Sequence, residues 1–187
     1  GSSKGSISGA DLASEQMEKA KEFIINNSNN IKAFESEGNF VYDRFIEVEA
    51  SNENRKAMVD EVSKDDGTGG TKANNNREYG GEIREGQVKI VKPGDVCDLL
   101  KENVASIKLH SGFSTFHSHP SGDYDLNNGM VRGYNQYPSQ TDLDIAQSYV
   151  HYMFARKSDK VYIYTSSGIQ AEMSTSEFLK ININRTR

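Results

Sequence analysis

The chain is poor in cysteine, proline, positive charge and long apolar runs. Its 187 residues include one cysteine, Cys97. A single thiol excludes an internal disulfide and any cysteine-rich zinc site, so a metal would have to be held by histidine and carboxylate. Lys and Arg number 22 against 27 Asp and Glu, a net charge of −5. That balance lacks the basic face of a nucleic-acid-binding surface, and no nucleic-acid partner is expected. No apolar run approaches the length of about 20 residues that a membrane span needs. No leader peptide is legible. Hydrophobic residues make up 35% of the chain and mean hydropathy is −0.72. Those values imply one moderate core with polar segments around it.

What is present divides into two parts. Residues 1–75 read as a lead-in segment with helix and strands, partly flexible. Residues 11–27 have the spacing of an amphipathic helix, with Leu12, Met17, Ala20, Phe23 and Ile24 near one face. Asn26 to Asn30 ends it, and 39–50 reads as one or two strands. Ser51 is placed to cap a helix over 53–64. Residues 65–76, rich in Gly, Asp and Asn, read as a flexible loop. Residues 76–187 read as a strand-rich domain. Tyr79–Ile83 and Gln87–Lys92 predict a hairpin around Arg84-Glu85-Gly86. Pro93-Gly94-Asp95 turns the chain, and Val96–Asn103 predicts a short helix. Phe113–His119 predicts a strand that Pro120 ends. Residues 121–137 form a long Gly-, Asn-, Asp- and Tyr-rich loop. Ser139 opens a predicted helix reaching about Ala155. Lys160–Ser166 and Gly168–Glu172 predict a second hairpin, and Ser176–Leu179 a last helical turn. The mixture predicts an α/β or α+β fold with a mixed sheet.

The chemistry concentrates in three short segments. Side chains alternate along a strand, so His117 and His119 point to one side. Two imidazoles on one face can bind one zinc ion at about 2.0–2.1 Å. A catalytic zinc takes three protein ligands and keeps one open position. Asp142 is the best third ligand, because Ser139 is a natural N-cap and sets Asp142 in the first helical turn. The Ser139 hydroxyl, on the same rim, can donate to the oxyanion of a tetrahedral intermediate. A hydrolytic site also needs a general base, a carboxylate beside the metal but not bound to it. Glu78, Glu82 and Glu85 are all candidates, and composition does not choose among them. Taken singly these signals are weak, since Ser-x-x-Asp is also a plain capping box. Their order and company make them specific.

Glu78-Tyr79-Gly80-Gly81, then His117-Ser118-His119-Pro120, then Ser139-Gln140-Thr141-Asp142 resembles the motif of the JAMM metalloprotease family: Glu, His-x-His-Pro, Ser-x-x-Asp. A glycine commonly lies three residues after the family's glutamate, and Gly81 stands so to Glu78. The resemblance implies a JAMM/MPN-like, cytidine deaminase-like mixed sheet flanked by helices over roughly 76–175, with a helical N-terminal extension. It implies Zn2+ held by His117, His119 and Asp142, with Glu78 as general acid/base and Ser139 as oxyanion donor. It implies cleavage of a peptide or isopeptide bond in a protein substrate with an extended tail. The family's spacer between His-Pro and Ser is usually short; 121–137 is much longer and reads as a lid, a substrate-binding loop or an inhibitory flap. Asn76 to Gly81, Phe116 to Gly122 and Val161 to Tyr164 further resemble the JAB-like toxin domains of bacterial polymorphic toxins. That likeness implies secretion or delivery into a target cell as part of a larger protein, and an immunity protein as partner. From a different class comes a non-catalytic module on a JAMM-like scaffold that binds a partner through 121–137.

The other candidates have simpler readings. His110 and His151 read as ordinary surface or partly buried residues rather than ligands. Cys97 reads as a buried structural thiol. Tyr162 and Tyr164 read as packing. Tyr124, Tyr134 and Tyr137 either grip an extended substrate or pack over the zinc site.

Overall fold

A computed structural model describes residues 50–147, 149–166 and 168–180. The predicted helix at 11–27 and the strands before Ala50 lie outside these residues. Ser51 caps helix α1, Asn52–Val62, its hydroxyl accepting from the Asn54 amide at 3.1 Å. The N-terminal hairpin is present as β1, Gly80–Arg84, and β2, Gln87–Ile90. Glu85 (φ 53°) and Gly86 (φ 75°) supply the two left-handed residues that a tight two-residue turn requires.

Strand β3, Ser114–His119, is buried along its whole length. It pairs antiparallel to β1, with Gly80 opposite His117 and Gly81 opposite Phe116. A Cβ on Gly80 would lie 2.4 Å from the Phe116 carbonyl oxygen, and one on Gly81 the same distance from that of Lys89. The paired glycines therefore let β1 close against both neighbours. The chain then forms a small hairpin, β4, Asp123–Asp125, with β5, Val131–Gly133. After it come helix α2, Gln140–Asp144, then β6, His151–Ala155, β7, Lys160–Thr165, β8, Gly168–Ser174, and helix α3, Thr175–Lys180. The main sheet has the order β2-β1-β3-β6-β7-β8. Only the β3–β6 pair is parallel, so the sheet is mixed and the fold mixed α/β.

Alternation sorts the strands onto two faces. Phe116, Tyr152, Phe154, Val161 and Ile163 join Met58, Val59 and Val62 of α1 and Phe178 of α3 in one core. The Phe178 ring meets those of Tyr152 and Phe154 at 5.9 and 5.6 Å. Residues 50–62 are thus built into the same core as the sheet. On the opposite face Met153, Ala155, Tyr162 and Tyr164 pack with Ala146. His117 sits on this second face, opposite Met153 of β6.

Besides the β4–β5 hairpin inside the expected 121–137 loop, three local expectations differ from the structure. The helix expected from Ser139 to about Ala155 is a five-residue helix followed by a strand. Helix α2 ends at Ile145, and Gln147 takes φ 55°, which turns the chain out of helical geometry. His151–Ala155 then runs through the sheet centre, buried on both faces, where a strand shows no alternation to detect. Val96–Asn103 is not a helix; one turn, with the Lys101 and Glu102 amides on the Asp98 carbonyl, is all that forms. Residues 65–76, expected as a flexible loop, are tied in by hydrogen bonds. The buried Asp65 carboxylate accepts from the Ser121 amide and hydroxyl at 2.7 and 2.6 Å. The buried Asn75 and Asn76 bond to the carbonyls of Gly69, Gly70 and Lys72.

Candidate metal centre

Strand β3 delivers His117 and His119 to one side, and the start of α2 delivers Asp142 against them. His117 Nε2 lies 3.3 Å from Asp142 Oδ1, His119 Nε2 lies 3.3 Å from Oδ2, and the two Nε2 atoms are 3.2 Å apart. Both histidines are buried. The three residues form a group able to hold a metal ion, each offering one ligand atom, all within 4.8 Å of one another. The spacing fits one ion: tetrahedral bonds of about 2.0–2.1 Å place neighbouring ligand atoms about 3.3–3.4 Å apart.

Two of the three are oriented from behind by hydrogen bonds. Nδ1 of His119 lies 2.8 Å from the Asn135 carbonyl oxygen. A carbonyl only accepts, so Nδ1 carries the proton and the Nε2 lone pair faces Asp142 and His117. Asp142 belongs to a capping box. The Ser139 hydroxyl accepts from the Asp142 amide at 3.1 Å, and the Ser139 amide donates to Asp142 Oδ2 at 2.9 Å. The box fixes the carboxylate's direction while leaving the Ser139 hydroxyl proton free to donate elsewhere. The Tyr164 ring stands edge-on to His117, with centroids 6.5 Å apart.

The electrostatics suit a cation. Burial opposes ionisation of Asp142, but His117, His119 and the Ser139 amide outweigh it and hold the carboxyl well below its ordinary range. Burial likewise opposes protonation of His117, and the Asp142 and Glu78 carboxylates outweigh it, so its affinity for a proton is raised. Glu78 behaves in the opposite way. Burial dominates there, aided by the Asp142 charge, and lifts its carboxyl above the ordinary 4.5 against the pull of both histidines.

Glu78, His117, His119, Ser139 and Asp142 all line one cavity of about 480 Å³. Of the three acids left open by composition, Glu78 alone is there. Glu82 is engaged by Arg84 and by the amide and ring of His110, and Glu85 sits exposed in the β1–β2 turn. His110 is a surface residue with a 71% exposed side chain. His151 is a buried structural histidine. Its Nδ1 accepts from the Thr115 amide at 3.1 Å, and its Nε2–H donates to the Ala146 carbonyl at 2.8 Å. Its ring also stacks on Tyr164, centroids 5.4 Å apart. Cys97 is buried, its Sγ 3.3 Å from the Glu102 carbonyl. Tyr164 is the packing residue expected, its ring against His117 and His151 at the edge of the cavity. Of the tyrosines in 121–137, Tyr134 lines the cavity and donates to Asn76 Oδ1 at 3.0 Å, while Tyr137 lies on Tyr162 at 5.7 Å. The Asn135 carbonyl was missed in the sequence, because a main-chain oxygen leaves no trace in residue identity.

Comparison with protein-family models, curated proteins and solved structures returned no match. No helix among the described residues is long and apolar enough to cross a membrane.

Proposed function

We propose that the chain is a zinc-dependent peptidase or isopeptidase of JAMM type, with a JAMM/MPN-like fold. The observation that carries this reading is the His117–His119–Asp142 group, spaced for one tetrahedral ion, in a cavity that Glu78 and Ser139 also line. The order Glu, His-x-His-Pro, Ser-x-x-Asp supports the family, and two imidazoles with one carboxylate are a donor set suited to catalytic zinc. When bound, zinc would polarise the scissile carbonyl and lower the pKa of a water. The remaining work belongs to the chain. Glu78, its proton affinity raised by burial, takes a proton from the attacking water and returns it to the leaving nitrogen. The Ser139 hydroxyl donates to the developing oxyanion. Ala105, Ile107, Leu109 and Phe113 give the cavity an apolar wall suited to an extended peptide tail. The toxin-effector reading, with delivery by a larger protein and an immunity partner, rests on the wider sequence resemblance.

Turnover of peptide and isopeptide substrates by Glu78→Gln tests the assignment. The account expects zinc to be retained and activity to fall at least 100-fold, at the low end of general acid–base contributions. Retained activity would remove Glu78 from its role. A second reading, a non-catalytic binding module, draws on the β4–β5 hairpin, which exposes Leu126, Met130 and Val131. It predicts partner binding that chelators leave unchanged and no turnover of any amide substrate.

A further inference from the structure

The 121–137 insertion does not lie over the site as a detached flap. Both of its ends are fastened, and both reach residues 75–76 and Lys157. At the near end the Gly122 amide donates to the Asn75 carbonyl, and Asp123 binds the Gly70 amide and Lys157. At the far end the attachment closes around one atom, the Asn135 carbonyl oxygen that accepts from His119 Nδ1. Tyr134, on one side of it, donates to Asn76 Oδ1 at 3.0 Å. Gln136, on the other, is a bridge. Its Oε1 accepts from the Lys157 and Ser158 amides at 2.8 and 3.2 Å. Its Nε2 donates to the Pro120 carbonyl at 3.0 Å and approaches the Asn135 carbonyl itself at 3.3 Å. The Gln136 amide thus ties the end of β3, the β6–β7 turn and the Asn135 peptide together.

We propose that the insertion is a working part of the metal centre, and that Gln136 and Tyr134 are positioning residues which hold the Asn135 carbonyl against His119. Their effect is on tautomer and ring direction. With Nδ1–H engaged, His119 presents Nε2 to the metal. With the carbonyl displaced, the ring can rotate and carry its proton on either nitrogen, and one ligand in three is lost part of the time. The inference rests on the metal reading given above. It adds that residues 134–136, none of which offers a ligand atom in the His117–His119–Asp142 group, set the affinity.

Zinc affinity of the full chain, measured by competition with a chromophoric chelator, tests it. Gln136→Ala should weaken zinc binding by about 10–100-fold, the usual cost of losing an outer partner of a histidine ligand. Tyr134→Phe, which removes one hydroxyl, should weaken it in the same direction and carries the test if Gln136→Ala does not fold. Asp123→Asn loosens the insertion at its other end and should leave affinity unchanged. A second readout is the ¹⁵N spectrum of the His119 ring in the metal-free chain. Nδ1 should be the protonated nitrogen in the parent, with both tautomers populated in Gln136→Ala. If the parent binds zinc and Gln136→Ala and Tyr134→Phe bind it as tightly, this proposal fails and the metal reading stands. Equal losses in Gln136→Ala and Asp123→Asn would also overturn it, since any loosening would then suffice. If the parent binds no zinc, both readings fall.

Discussion

Glu78 is held against its own preference. Burial raises its carboxyl above 4.5, so the folded chain binds that proton more tightly than the unfolded chain does. The sign follows: this contribution to stability is fully present below 4.5 and is lost as pH rises through the raised value. An ionised Glu78 therefore destabilises the metal-free protein at neutral pH, and a neutral amide in its place does not. Glu78→Gln should melt higher than the parent at pH 7–8 in chelator, with the gap closing near pH 4. A lower melting temperature for the variant at pH 7–8 would contradict this. Strain of this kind is what the proposed base role would require of Glu78. At this scale the sequence was most legible. His117, His119 and Asp142 could be grouped because their chemistry is written in side chains at recognisable spacing, whereas Glu78 was set apart from Glu82 and Glu85 only by the family resemblance. The Asn135 carbonyl and the edge-on Tyr164 could not, since neither a main-chain oxygen nor a cross-strand neighbour is local information.

Among the elements, α2 and the β1–β3 pair do most to place the site. Helix α2 has five residues, too few to be stable alone, and its capping box supplies much of its order. Ser139→Ala removes the hydroxyl that caps the Asp142 amide and should cost about 1 kcal/mol of stability, read by chemical denaturation, while the Ser139 amide still holds Asp142 Oδ2 and metal affinity changes little. A large loss of metal affinity would mean that the hydroxyl, rather than the Ser139 amide, aims the carboxylate. Gly80→Ala tests the strand pair. Its new methyl would meet a backbone carbonyl rather than a flexible side chain. The strands must separate, and a loss of about 1–3 kcal/mol in denaturation is expected. Hairpins and caps were readable because turn residues announce them, as Ser51, Glu85 and Gly86 do. The α2–β6 boundary was not. Leu143, Ala146 and Val150 follow helical spacing, and β6, buried on both faces, offers no alternation against it. Residues 65–76 looked flexible because their anchors, such as Ser121, lie about fifty residues away in the chain.

For the molecule as a whole, one core couples the N-terminal part of the described chain to the sheet that carries the ligands. Met58 is fully buried in it with Phe116, Phe154 and Phe178. Met58→Ala should destabilise by about 2–5 kcal/mol, with far-UV and tyrosine signals changing in one coincident transition. Two separated transitions would show that α1 folds apart from the sheet. The mixed α/β class was legible from the alternation of hairpins and helices, while the strand order was not, because the parallel β3–β6 pairing joins segments more than thirty residues apart. The proposed function rests on the His117–His119–Asp142 group on the second face of that sheet. The zinc content of the full chain, purified without chelators and measured by atomic emission, tests that directly. The account predicts one zinc per chain, lost in Asp142→Ala; a parent protein free of zinc, or one whose zinc survives that substitution, would contradict it.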